Sequence, residues 1–227
     1  MNFLVDYRTP GIIISNLKKY GNIYKSYPLE IEDAAISGHP DIQIHFLTSN
    51  SAVCAKGLFE YYRNILPENI KLCEGKLPVG NTYPDNCAYN IARINNNVIC
   101  NKKYIDETIL NFYKENNYKI HHVNQGYAKC NICPIYPNII LTEDKGIYQT
   151  LKEEEELEVI FVPKERVELY GYEYGFLGGA TGFADNILLF CGTISGSLKK
   201  ILLSNNIKYT ELSQDTLYDY GSILSFE

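Results

Sequence analysis

Short apolar triplets, each followed by a polar turn, recur along the chain. They are Ile12-Ile13-Ile14, Ala52-Val53-Cys54, Val98-Ile99-Cys100, Ile139-Ile140-Leu141 and Ile187-Leu188-Leu189. A step of roughly 45 residues is in the range of repeat architectures. Helical periodicity follows the triplets, with apolar residues three and four apart: Leu58 and Tyr62; Ile105, Ile109 and Phe112; Ile147 and Leu151; Leu198, Ile201 and Leu202. The first unit has only a helical stub, Asn16 to Tyr20, and Thr142 and Ser195 sit where helix N-caps are useful.

A second strand is predicted after each helix, at 23–24, 70–73, 118–123, 157–162 and 207–212. The run from Glu158 to Val162 is apolar after its first residue, which predicts a strand buried on both faces. Another strand precedes the triplets. Ile42-Gln43-Ile44-His45-Phe46 alternates, Tyr89 to Ile94 and Asn131 to Ile135 hold the same place, and Phe3-Leu4-Val5 opens the chain. The pattern predicts an α/β fold of five strand–strand–helix–strand (ββαβ) units in a single domain. The repeats fall approximately at 1-37, 38-84, 85-127, 128-177 and 178-227. Ile223-Leu224-Ser225-Phe226 would pair with the first unit and close a ring with no open sheet edge. The alternative is an open α/β sheet.

Composition narrows the function classes. An apolar share of 45% and a charged share of 21% are those of a globular chain. A net charge of −6 without a Lys/Arg cluster argues against nucleic acid as a partner. The apolar runs are too short to span a bilayer, and Asp6 interrupts the N-terminus after three apolar residues, so neither a membrane span nor a signal peptide is expected. The expected location is cytoplasmic. The seven cysteines then read as reduced, mostly buried thiols. Cys130-Asn131-Ile132-Cys133 is a lone C-x-x-C, a weak metal or redox signal, and no metal site is expected. His45, His121 and His122 read as structural or exposed.

Five ββαβ units about a pseudo-fivefold axis resemble the pentein fold, an α/β propeller of guanidino-group modifying enzymes. These include arginine and agmatine deiminases, dimethylarginine hydrolases and amidinotransferases. The stretches Gly38 to Gln43, Gln125 to Cys130 and Tyr174 to Gly182 resemble an uncharacterised bacterial family with that fold. The resemblance implies a Cys nucleophile, a His acid/base and carboxylates that hold the cation, with no metal or organic cofactor. The residue types suit the chemistry. An unreactive guanidinium carbon needs a soft nucleophile, its leaving amine needs a proton, and a planar cation with forked N–H donors is gripped by carboxylates.

On this resemblance His39-Pro40-Asp41 matches the family's His-x-Asp, and two units on lies Cys130. Cys130 is then the nucleophile, His39 the acid/base and Asp41 a substrate-binding carboxylate. Asp6 and Asp85, each close to the start of a unit, are further substrate-binding candidates by position. The family's Gly-Gly-x-His-Cys turn reads Gly126-Tyr127-Ala128-Lys129-Cys130 here, while Gly178-Gly179-Ala180-Thr181 is the better Gly-Gly match. If that unit is the equivalent, the nucleophile position holds Thr181. Two function classes therefore stand. One is a Cys-dependent hydrolase or transferase acting on a guanidino or amidine group. The other is a non-catalytic pentein-fold module that binds a small molecule or a protein. A translation-factor-like pentein is disfavoured by the acidic charge.

Overall fold

The computed structural model describes residues 1–227. It contains five three-stranded sheets, each with one helix. The second unit is β3 (Ile44–Thr48), β4 (Ser51–Cys54), α2 (Phe59–Ile65) and β5 (Lys71–Glu74). The third is β6 (Ala92–Ile94), β7 (Asn97–Cys100), α3 (Glu107–Glu115) and β8 (Lys119–His122). The fourth is β9 (Ile132–Ile135), β10 (Ile139–Thr142), α4 (Lys145–Leu151) and β11 (Glu158–Phe161). The fifth is β12 (Thr181–Ala184), β13 (Ile187–Phe190), α5 (Gly196–Ser204) and β14 (Lys208–Glu211). The first unit is assembled from both chain ends: β1 (Asn2–Val5), α1 (Gly11–Leu17) and β2 (Asn22–Lys25) are joined by the C-terminal β15 (Leu224–Phe226), with Phe3 opposite Ser225.

In every sheet the middle strand is antiparallel to the first strand and parallel to the third. The middle strands β1, β4, β7, β10 and β13 carry the core. Each is fully buried beyond its first residue, because neighbours cover it on both sides. This is why apolar triplets mark them in the sequence. The first strands face the centre, where β6 contacts β9, β9 contacts β12 and β12 contacts β15.

Local chemistry sets the turns. The β12–β13 hairpin turns through Asp185 and Asn186, both at positive φ (50° and 62°), as a two-residue turn matched to strand twist requires. Helices α3 and α5 end alike. Asn117 and Asn206 take left-handed backbone, and the following amides of Tyr118 and Ile207 donate back to Tyr113 O (2.9 Å) and Leu202 O (2.8 Å). Each helix docks through two buried residues four apart: Ile13 and Leu17, Leu58 and Tyr62, Ile109 and Tyr113, Ile147 and Leu151, Leu198 and Leu202.

Three local expectations are corrected. Ile12 to Ile14 lies inside α1, and the middle strand of the first unit is β1, which holds Phe3-Leu4-Val5. A three-residue apolar run fits a buried strand or one turn of a docked helix equally well, and only pairing decides. The β11 strand is an outer strand with Glu158 and Phe161 exposed, because nothing pairs beyond it. Ser195 caps α5 by accepting from Leu198 N, whereas α4 is capped by Asp144, which accepts from Ile147 N at 2.8 Å, and Thr142 ends β10. Asp144→Ala is expected to cost about 1 kcal/mol. That is a fall of about 2–4 °C in Tm by calorimetry for a chain of this size.

Candidate active site

The segments entering the first strand of each unit converge on the centre and deliver side chains in tiers. Five residues before each first strand stand His39, Cys87, Tyr127, Phe176 and Asp219. Four of these, all but Cys87, line one cavity of about 330 Å³ together with Cys130. Two residues before the strand stand Ile42, Asn90, Cys130, Gly179 and Ser222. Three of this tier meet the Asp41 carboxylate or its partners. Cys130 Sγ donates to Asp41 Oδ2 (3.1 Å), Ser222 Oγ donates to the same oxygen (2.8 Å), and Asn90 Nδ2 donates to Cys130 Sγ (3.1 Å). Asn90 Oδ1 also accepts from the backbone amides of Lys129 (2.7 Å) and Cys130 (3.2 Å), which fixes the turn that carries the thiol.

Lys129 and Cys130 are successive residues of one turn and reach different cavities. Lys129 Nζ donates to Ser222 Oγ at 2.9 Å and lies with Asp41, His45, Arg93 and Thr181 around a separate cavity of about 80 Å³. The Asp41–Cys130 contact is therefore part of the wall between two cavities. Thr181 Oγ1 donates to Gly178 O at 3.1 Å on the Lys129 side, away from His39.

The electrostatics follow from burial. His39 is 2% exposed, and its Nδ1 lies 4.0 Å from Asp219 Oδ1. Its Nε2 is buried without a hydrogen-bond partner. Burial lowers the His39 pKa against the pull of Asp219. Asp219 is raised by burial and held back by His39. Burial and then the Asp41 charge push the Cys130 thiol well above its ordinary value, so the lowering that an adjacent Lys129 suggests is not what this geometry delivers. Asp41 is raised by burial to about 6 against Lys129, and its Oδ1 has no partner.

The Asp41 shift has a sign in stability. The folded protein holds this proton more tightly than the unfolded chain. The stability it contributes is fully present below the ordinary pKa of 3.8 and is lost as pH rises through about 6. Asp41→Asn has no such titration. The stability of the wild type relative to the variant, measured by urea unfolding, is therefore expected to fall between pH 4 and 6.

The other sequence candidates do not reach the cavity. Asp6 is buried, but Arg8 Nη2 grips its carboxylate at 2.6 Å while donating also to Ala35 O, which ties down the loop before His39. Asp85 is exposed in the turn before β6. Asp219 was not among the candidates, because it belongs to the first unit although it lies near the end of the sequence. Its only signal is the five-residue offset from the closing strand that it shares with His39. His45 is buried and bonded to Tyr113 Oη at 2.6 Å, and His121 is buried against Asn97 Oδ1 at 2.8 Å. Of the seven cysteines, all free, only Cys73 is exposed.

A family model described as a family of unknown function (DUF6873) matches residues 4–224, nearly the whole chain. The chain belongs to this family. No curated protein matches its sequence. Solved structures do match. DDAH from Pseudomonas aeruginosa, as a mutant complexed with citrulline, superposes with a TM-score of 0.59 at 8% identity, covering 93% of this chain and 91% of that one. A dimethylarginine dimethylaminohydrolase adduct with S-methyl-L-thiocitrulline gives 0.59 at 9% identity, covering 93% and 92%. The product-bound N-terminal domain of ArgZ, an arginine dihydrolase from the ornithine-ammonia cycle in cyanobacteria, gives 0.53 at 11% identity, covering 92% and 89%. At such identities the likeness is one of fold, and the fold of this DUF6873 member is the pentein fold.

Proposed function

We propose that this protein is a Cys-dependent hydrolase or transferase acting on a guanidino or amidine group, with Cys130 as nucleophile, His39 as acid and base, and Asp41 and Asp219 as the carboxylates that hold the cation. The observation that carries the reading is the single cavity lined by Cys130, His39 and Asp219, with Asp41 bonded to the thiol from behind. A guanidinium bound beside Asp219 in this cavity brings a positive charge next to sulfur, opposite the Asp41 charge behind it. That charge favours the thiolate, which burial otherwise disfavours. His39, kept neutral by burial and with Nε2 unpartnered, accepts the thiol proton.

The thiolate adds to the guanidinium carbon, a C–N bond breaks, and His39 returns its proton to the leaving amine. Water then adds to the S-linked intermediate, with its proton passing to His39. The C–S bond breaks to give a ureido product and the free thiol. One water is consumed and one amine released. In the transferase version an acceptor amine replaces the water.

The test is alkylation by 2-chloroacetamidine with mass spectrometry of all seven cysteines. Cys130 is expected to label fastest although it is buried and Cys73 is exposed, and a guanidino compound is expected to block it. A second reading is a binding module without catalysis. It is favoured by the bonds that already satisfy the thiol, from Asn90 and to Asp41. Slow or indiscriminate labelling would select it.

A further inference from the structure

The cavity around Cys130 has carboxylates at both ends, and His39 is the one basic side chain in its lining. At the inner end is Asp219, buried beside His39. At the mouth are Asp33, half-buried, and Glu173, exposed. The rest of the lining is largely apolar and aromatic and includes Tyr127, Phe176, Ile36 and Leu169. Tyr172 Oη donates to Asp33 Oδ2 at 2.5 Å, which holds one rim carboxylate in place across the mouth. No Lys or Arg lines the cavity. The nearby bases are engaged: Lys164 Nζ lies 2.9 Å from the centroid of the Tyr174 ring, and Arg8 is held by Asp6 and the carbonyls of Ala34 and Ala35.

A carboxylate on the far end of a ligand would meet two like charges at this mouth and find no cation to pair with. An ammonium there would meet two carboxylates of opposite charge. The alkyl chain joining the ends would be covered by the apolar wall. Resting on the guanidino reading above, we infer that the substrate is an alkylguanidine whose far end is a second cation, and that the site rejects guanidino acids and guanidino amino acids.

Four compounds with the same guanidinium and a comparable chain separate the alternatives: 4-guanidinobutylamine, butylguanidine, 4-guanidinobutyrate and arginine. Each is used to protect Cys130 of the 1–227 chain from 2-chloroacetamidine, at low salt and again at 0.5 M NaCl, with intact-mass readout. The amine is expected to protect at about tenfold lower concentration than the carboxylate-bearing pair, with butylguanidine between them. The gap is expected to narrow in high salt. Glu173→Gln, which alters an exposed side chain, is expected to weaken the amine about threefold relative to butylguanidine. Equal protection by all four, or best protection by arginine or 4-guanidinobutyrate, would overturn this inference and leave the guanidino reading standing. Failure of all four to protect would overturn both.

Discussion

In the His39→Ala variant, alkylation of Cys130 by 2-chloroacetamidine is expected to slow by about 100-fold, while the exposed Cys73 reacts at the wild-type rate. The reason is the state of the two groups. Burial and the Asp41 charge hold the thiol well above its ordinary pKa, so the thiolate forms in quantity only when a base accepts the proton. His39 lines the same cavity, is lowered by burial and has an unpartnered Nε2. Alanine removes the base without filling the space. The wild-type rate is expected to fall at low pH as His39 takes up its proton, and the variant is expected to lose that inflection. Chloroacetamide, the uncharged counterpart, measures the other half of the argument. It cannot engage Asp41 and Asp219 as a cation, and it should label Cys130 more slowly than the amidine does. Equal rates for wild type and His39→Ala would remove His39 from the chemistry.

Gly178→Ala is expected to cost about 4–5 kcal/mol, at the upper end for a single added methyl. A Cβ at Gly178 would lie 2.5 Å from Ile132 O and 2.6 Å from both Cys130 O and Lys129 O. All three are backbone atoms, of the turn that carries the thiol and of the first residue of β9, so no side-chain rotation relieves the contact. The chain must shift, and Gly178 O, which accepts from Thr181 Oγ1 and lies 3.1 Å from Ser222 Oγ, shifts with it. Calorimetry should show Tm lowered by about 10 °C or more, and labelling of Cys130 should be impaired in the fraction that folds. Gly196→Ala is the control. No atom lies within 4 Å of the added carbon there, and the substitution opens α5, so stability should be unchanged or slightly raised. Similar losses for the two would mean that the clash at Gly178 is relieved by some movement of the turn.

Much of the architecture was legible because a middle strand covered on both sides must be apolar throughout. Triplets such as Ala52-Val53-Cys54 announce themselves for that reason. The helices were legible through pairs four apart, as at Ile147 and Leu151. The pairing of the C-terminal strand with the first unit was anticipated, but Ile12 to Ile14 was misread because an apolar triplet fits one turn of a docked helix as well as a buried strand. The outer strand at Glu158 was misread because its apolar run mimics a central strand, and exposure depends on whether another strand lies beyond it.

The site divides in the same way. His39, Asp41 and Cys130 were reachable from sequence through motif and position, and the fold brings Cys130 to the same cavity as His39 while setting Asp41 against its thiol. Asp6 and Asp85 had the same positional claim. They were separated from Asp41 by what they meet, which is an arginine two residues away for Asp6 and open solvent for Asp85. Asp219, 180 residues from His39, enters only because β15 closes onto β1. The sequence by itself determined the repeating unit, the secondary elements within it and the residue types available to the centre, since these depend on periodicity and turn chemistry over a few residues. Tertiary structure alone decided which carboxylate faces the thiol, which faces the imidazole and which charges ring the mouth. Those are contacts between units far apart in the chain, and their energies depend on burial and distance that no local pattern contains.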